Sequence, residues 1–306
     1  MIYTCTLNPS LDYYLEFEKP LQLGKYNRSQ LEYYEAGGKG INVSIVLNNL
    51  MIPTRALGFL GGFTKEFYIA LLQKYEYVQP NFTYIEGHTR INVKLHGTED
   101  TDLNAAGPYI TDNEMKSLMD KVGRMDSTDY FVFAGYCQEY LFDDAEEMLK
   151  KAMQNGVKVV LDTNPKLVKQ LLQYKPFVLK TTVEEMETLF NTELKEQADV
   201  IAKMKELHEM GAVNVMVVKE KKEALLVCDK GTYSCDILYH EKAVNTVGTG
   251  DSMVAGFLMN YLRTADAADS FRFGSCCGSA TAYSKGLATR EKIDSFYEKS
   301  ILNRID

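Results

Sequence analysis

Residues 245–257 read Asn-Thr-Val-Gly-Thr-Gly-Asp-Ser-Met-Val-Ala-Gly-Phe. The end of a strand runs into Gly248-Thr249-Gly250, followed by a helix with Met253, Phe257 and Tyr261 along one stripe. Two glycines around one small residue let backbone N–H groups crowd together at a helix N-terminus. Those donors and the positive end of the helix dipole attract anionic oxygens. Asp251 falls in the first turn of that helix. Two roles are open to it: an ordinary first-turn acid, worth about 1 kcal/mol, or a general base beside a phosphoryl or oxyanion site.

A second glycine-rich run, Ala36-Gly37-Gly38-Lys39-Gly40-Ile41-Asn42-Val43, also opens a helix and can approach an anion or a polyol closely. It is not a Walker A loop, because no glycine lies five residues before Gly38 and no Ser or Thr follows Lys39. No G-x-G-x-x-G follows the first strand, which leaves a nicotinamide-dependent dehydrogenase without support. The absence of G-x-S-x-G removes the simplest hydrolase reading.

The 306 residues are 45% hydrophobic and 25% charged, the proportions of a globular protein able to bury a large core. A net charge of −8 argues against a general nucleic-acid or anionic-membrane binder, though a local cluster of cations could still hold a small anionic substrate. The first residues lack the basic and long apolar stretches of a signal peptide, and no apolar run could span a bilayer, so a cytoplasmic location is expected. Six scattered cysteines read as reduced core thiols, and four histidines without ligand spacing make a structural zinc site unexpected.

The elements that must position these residues are legible as periodicities. Strands are expected at 1–7, 12–18 and 31–35, and a helix at 40–51. Residues 55–60 predict a strand and 64–75 a helix, after which strands cluster near 81–86, 89–97 and 101–105. From residue 108 onward strands and helices alternate, with a Thr111/Glu114 capping box and Gly156 and Gly211 as helix stops. Three helices, at 251–263, 267–285 and 289–299, are expected to finish the chain. Alternation of this kind implies an α/β fold with a mostly parallel sheet covered on both faces. The strands at 12–35 and 89–105 break the rhythm. They suggest a main domain of 1–10, 37–88 and 108–306 with an inserted β-sheet from 11–36 and 89–107, serving as a lid or a dimer surface.

Several segments in register resemble the PfkB (ribokinase-like) sugar kinases, and most of all the branch of 1-phosphofructokinases and tagatose-6-phosphate kinases. They are Thr6–Asp12, Gly37–Val43, Leu57–Gly62, Thr89–Lys94, Asp102-Leu103-Asn104 before Gly107-Pro108, and Asn245–Gly256. The resemblance implies a ribokinase-like fold and transfer of a phosphoryl group from ATP, with Mg2+, to a sugar hydroxyl. It implies that Asp251 takes the proton from the attacking hydroxyl and that the amides of Gly248, Thr249 and Gly250 stabilise the phosphoryl group. Asp12 would hold sugar hydroxyls, with Gly37, Gly38, Asn42 and Asn104 in the same pocket. Arg90 and Lys39 would serve the phosphate already on the substrate, Arg through its planar fork. A solvated strand face is the plainer role for Lys94. Lys25, Lys180, Thr182, Glu185, Lys219 and Glu220 would lie on the nucleotide side. A homodimer through the lid is expected, as in several relatives.

Three segments depart from the family pattern. Lys180-Thr181-Thr182-Val183-Glu184-Glu185 stands where Lys-Pro-Asn-x-x-Glu is usual, so Thr182 replaces an Asn while Glu185 keeps the acid. Val218-Lys219-Glu220-Lys221-Lys222-Glu223 puts two glutamates where glycines are usual, and a carboxylate near a polyphosphate repels it. In Ala134-Gly135-Tyr136-Cys137, Tyr136 replaces a small hydroxyl residue. Three explanations fit: a kinase that uses ATP with a reshaped loop, a kinase with another donor or sugar phosphate, or a sugar-phosphate-binding module without nucleotide. The retained Gly-Thr-Gly-Asp and Gly-Gly-Lys-Gly-Ile-Asn runs favour catalysis. Fructose-1-phosphate is the expected acceptor and tagatose-6-phosphate its nearest rival.

Overall fold

The computed structural model describes residues 1–219, 223–237, 243–244 and 247–306. The first half of the chain runs β1 (Ile2–Thr6), β2 (Ser10–Glu16), β3 (Leu31–Gly37), α1 (Lys39–Asn49), β4 (Thr54–Gly61), α2 (Gly62–Leu72), β5 (Val78–Pro80), β6 (Thr83–Ile85), β7 (Arg90–His96), β8 (Thr101–Leu103), α3 (Asp112–Val122), β9 (Tyr130–Ala134) and α4 (Phe142–Gln154). It continues with β10 (Lys158–Asp162), α5 (Pro165–Leu171), β11 (Val178–Thr182), α6 (Val183–Phe190), α7 (Gln197–Glu209), β12 (Asn214–Lys219), β13 (Glu223–Cys228) and β14 (Gly231–Ile237). The last elements are α8 (Thr249–Thr264), α9 (Ala267–Ala282), α10 (Arg290–Tyr297) and β15 (Ser300–Arg304).

Among the described residues the main sheet has the order β15-β14-β13-β12-β11-β10-β9-β1-β4-β5, with β6 also on β4. From β5 to β12 neighbouring strands are parallel, and β13, β14 and β15 add an antiparallel edge. Both faces of the sheet are apolar, so its strands read as continuous hydrophobic runs rather than alternating ones. In β9, Phe131 and Phe133 enter the core under α3, α4, α5 and α7. Tyr130, Val132 and Ala134 enter the opposite core, under α1, α8, α9 and α10. The second sheet, β3-β2-β7-β8, is small and separate, with β2 antiparallel to β3 and parallel to β7.

The Thr111/Glu114 capping box starts α3 as expected, and Gly156 (φ 81°) follows the end of α4. Two elements escape the periodicity reading. Helix α6 carries one fully buried side chain, Met186, so its apolar signal is thin. Its start is marked instead by a capping box between Thr182 and Glu185, a signal obscured by reading the same residues as nucleotide ligands. The three expected closing helices are present as α8, α9 and α10, but the chain then ends in a strand that was not expected. Strand β15 is five residues long and exists through its ladder to β14, a long-range pairing that local sequence does not encode.

α8 and α9 approach closely. A Cβ on Gly256 would lie 2.4 Å from Cys277 Sγ, and one on Gly274 would lie 2.5 Å from the Met253 carbonyl oxygen. This contact fixes where the N-terminus of α8 points. No helix among the described residues is long and apolar enough to cross a membrane.

Candidate active site

The chain order reverses at β1, whose neighbours are β4 on one side and β9 on the other. In open α/β sheets such a crevice, beyond the carboxyl ends of the strands, is where ligands bind. Here the carboxyl ends of β1 and β10 and the middle of β11 deliver Thr6, Asp162 and Lys180 to one place. The glycine loop before α1 settles onto Thr6, whose Oγ1 accepts from the Gly40 N–H at 3.0 Å. Gly38 (φ 132°) caps α1 in a backbone conformation that side chains avoid, and a Cβ there would lie 2.8 Å from Thr6 Cγ2.

Asp251 is buried in the first turn of α8, and its carboxylate does not cap that helix. The N-cap residue is Gly248, at φ 77°. Asn42 Nδ2, from α1, instead donates to Asp251 Oδ2 at 2.8 Å. Burial and then the negative charge of Asp162 push the Asp251 carboxyl up to about 6, against the pull of Asn42, Lys39 and Lys180. A carboxylate with this affinity for protons is suited to accept one from a hydroxyl near neutral pH. A Cβ on Gly250 would meet Lys180 Cε and Nζ at 2.8 Å each, which places that ammonium against the turn of amides.

Lys39 Nζ lies 2.8 Å from Asp162 Oδ1, and Lys180 Nζ lies 3.4 Å and 3.3 Å from Asp162 Oδ1 and Oδ2. Burial opposes ionisation of Asp162, but Lys180 and Lys39 outweigh it and hold its carboxyl below the usual range. Burial likewise pulls Lys39 down, and Asp162 more than reverses this. Asp162 is a site residue that sequence reading missed. Its only signal was an acid at the end of an apolar strand.

Asp12 forms a second, separate constellation on β2. Its Oδ1 accepts from Ser10 Oγ at 2.6 Å and from Asn92 Nδ2 at 3.0 Å. A Cβ on Gly37 would lie 2.3 Å from Asp12 Oδ2, so a glycine there leaves room for the carboxylate. Burial raises the Asp12 carboxyl, with Ser10, Lys94, Asn92 and Arg90 opposing. A cleft of about 380 Å3 between the small sheet and the main domain is lined by Asp12, Gly37 and Asn42, joining this constellation to the residue that holds Asp251. Ser10 and Asn92 are the other residues that sequence reading left unassigned.

The remaining expected residues scatter. Arg90 spends three of its five donors on carbonyls, those of Asn8 (3.3 and 3.1 Å) and Ala105 (2.9 Å), and so clasps two loops at the edge of the site. Lys94 is not a solvated strand residue. It is buried and paired with Asp102 at 2.8 Å, and it reaches the exposed Asn104 at 3.5 Å. Lys25 stands exposed on the loop between β2 and β3. Tyr136 is 58% exposed, beyond Gly135, whose own Cβ position would lie 4.0 Å from Lys39 Cβ. Thr182 and Glu185 are joined in the α6 capping box: Thr182 Oγ1 accepts from the Glu185 N–H at 3.2 Å, and Glu185 Oε2 accepts from the Thr182 N–H at 2.9 Å. Lys219 ends β12, while Glu220 lies outside the described residues, as do Asn245 and Thr246. The six cysteines are buried, free thiols.

Residues 18–293 match the pattern of the pfkB family carbohydrate kinases. A 1-phosphofructokinase of Bacillus subtilis is 36% identical over 306 residues, all of this chain and all of that protein. A D-tagatose-1-phosphate kinase of Bacillus licheniformis is 31% identical over 297 residues, 96% of each chain. The crystal structure of phosphofructokinase-2 from Escherichia coli in complex with substrates and products superposes with a TM-score of 0.91 at 25% identity, covering 97% of this chain and 98% of that one.

Proposed function

Because this chain belongs to the pfkB family of carbohydrate kinases, we propose that it transfers the γ-phosphoryl group of ATP to a hydroxyl of fructose-1-phosphate, giving fructose-1,6-bisphosphate. It is a sugar-phosphate kinase, and the 1-phosphofructokinase and D-tagatose-1-phosphate kinase named above support D-tagatose-1-phosphate, beside tagatose-6-phosphate, as an alternative acceptor. One observation carries the reading: a buried carboxylate, Asp251, in the first turn of α8, held by Asn42, which lines one cleft together with Asp12.

The step follows from that geometry. The acceptor lies along Asp12, Gly37 and Asn42 with one hydroxyl at Asp251. As its oxygen bonds to the γ-phosphorus, its proton passes to Asp251 and the bond from the γ-phosphorus to the bridging oxygen breaks, releasing ADP. The backbone amides of Gly248, Thr249 and Gly250 face the charge on the phosphoryl oxygens, and Lys180 adds a cation behind them. Arg90, fixed to two backbone carbonyls, presents a rigid cation to the phosphate already on the sugar.

Mg2+ is usually held by one or two carboxylates together with substrate phosphates. Glu185 suits that mode, an acid fixed on the first turn of α6 and near enough to act electrostatically on Lys39. When bound, the ion neutralises phosphate charge.

The small sheet supports a homodimer. Register puts Tyr13, Tyr34, Val93 and Leu103 on its outer face, with Ile91 one step along. Tyr13 and Tyr34 stack at 4.4 Å, and Ile91 and Leu103 are exposed. Light scattering should give twice the chain mass, and Leu103→Asp should halve it; a wild-type monomer overturns this part of the proposal.

The activity is tested by following product formation with ATP and each of fructose-1-phosphate, D-tagatose-1-phosphate and tagatose-6-phosphate. Fructose-1-phosphate should give the highest kcat/KM. Absence of transfer to any of the three overturns the assignment.

A further inference from the structure

The Asp162 carboxylate, 1% exposed, is the one acid touched by two lysines that reach it from different parts of the site among the described residues. Lys39 comes from the glycine loop that also supplies Gly38 and Asn42, on the acceptor side. Its side chain is 39% exposed, so it pairs with Asp162 while remaining open to solvent. Lys180 comes from the middle of β11, is buried, and sits against Gly250 at the turn that opens α8. Asp251 and Glu185 also act on Lys39, so the two ammoniums belong to one charge network with Asp162 at its centre.

We propose that Asp162 is a positioning residue that ties Lys180, on the donor side, to Lys39, on the acceptor side, so that the two phosphate-bearing substrates are recognised as a linked pair. Asp162 touches neither substrate; it acts through the two lysines. With both present, it shares its oxygens and leaves each ammonium donors to spare, since a lysine has three. Take one lysine away and Asp162 is free to draw the other fully onto itself, away from its phosphate. Coupling of this sort is characteristic of neighbours in one charge network. The inference rests on the reading of the protein as a kinase with two phosphorylated substrates.

The test compares wild type, Asp162→Asn, Lys39→Met, Lys180→Met and the double lysine variant. KM is measured for ATP and for fructose-1-phosphate, and dissociation constants for both by calorimetry. Asp162→Asn should raise both KM values about ten-fold or more. Lys39→Met should raise the KM for ATP as well as for the sugar phosphate, and Lys180→Met should do the converse. The double variant should depart from the product of the single effects by about two-fold or more. A purely structural role would lower the melting temperature and the active fraction while leaving both KM values in place. If Asp162→Asn does not fold, the lysine cycle alone decides. Lysine effects confined to one substrate each and multiplying without departure would overturn the proposal, as would unchanged KM values in a folded Asp162→Asn. Wild type that binds neither ligand would overturn the kinase reading and this inference with it. Wild type that binds both, with variants that show no coupling, would overturn this inference alone.

Discussion

The two sides of the site are built differently. The proposed acceptor side is a set of buried and half-buried side chains that hold one another: Ser10 and Asn92 on Asp12, Asn42 on Asp251. The proposed donor side relies on backbone and on helix starts. Gly248 opens α8, Thr182 and Glu185 cap α6, and Lys180 pairs with Asp162. Side-chain pairs of the first kind constrain residue identity, since each removed partner leaves a buried polar group unsatisfied. A helix start needs only residues able to adopt the turn and cap it. Thr can replace Asn at position 182 without loss of the cap, as both are good N-cap residues. This would explain why the resemblance is kept around Asp12, Gly37–Asn42 and Asp251 while residues 180–185 depart from it.

The contrast can be broken at several points. The largest effect is expected for Asp251→Asn, where kcat should fall by about 10²–10⁴-fold, the usual contribution of general-base catalysis. Calorimetric binding of the sugar phosphate should stay within a few-fold. A near-normal kcat would remove Asp251 from the mechanism. Next is Gly248→Ala, which forces a side chain into a left-handed position with its Cβ 2.5 Å from Leu287 Cδ2. Strain of roughly 1–2 kcal/mol should appear as lost stability in denaturant titration, with a fall in kcat. Unchanged stability would mean that the turn accommodates a side chain without strain. Arg90→Ala should raise the KM for the sugar phosphate by about ten-fold with kcat little changed, as loss of one charge-assisted contact predicts. An unchanged KM would leave Arg90 as a loop clasp only. The smallest effects lie on the donor side. Thr182→Ala should cost about 1 kcal/mol through the lost cap, whereas Thr182→Asn should keep the melting temperature. If Thr182→Asn destabilises as much as Thr182→Ala, the cap is not what position 182 supplies.

Much of this site is visible in the chain before folding because glycine patterns are local. Gly248, Gly250, Gly37 and Gly38 mark helix starts by type and spacing, and the acid or amide next to each, Asp251 and Asn42, is in place once the helix is. The alternation of apolar strands with helices likewise yields the α/β sheet and the outlying small sheet. What was not visible depends on contacts between distant segments. Asp162 lies 123 residues from Lys39, and only the parallel alignment of β10 with its neighbours brings them together. Lys94 reads as an exposed strand residue until β8 brings Asp102 opposite it. Strand β15 has the same origin, as an edge completed by the tail of the chain.

The pH dependence of turnover tests the role of Asp251 most directly. Its carboxyl is raised to about 6 by burial and by Asp162, so the base form is lost as pH falls through that value. With saturating ATP and fructose-1-phosphate, log kcat of the wild type should level off above about pH 7 and drop with unit slope below about 6. The residual rate of Asp251→Asn should lack that acid limb. The same limb persisting in Asp251→Asn, or a wild-type rate that does not change between pH 5 and 7, would contradict the assignment of Asp251 as the base.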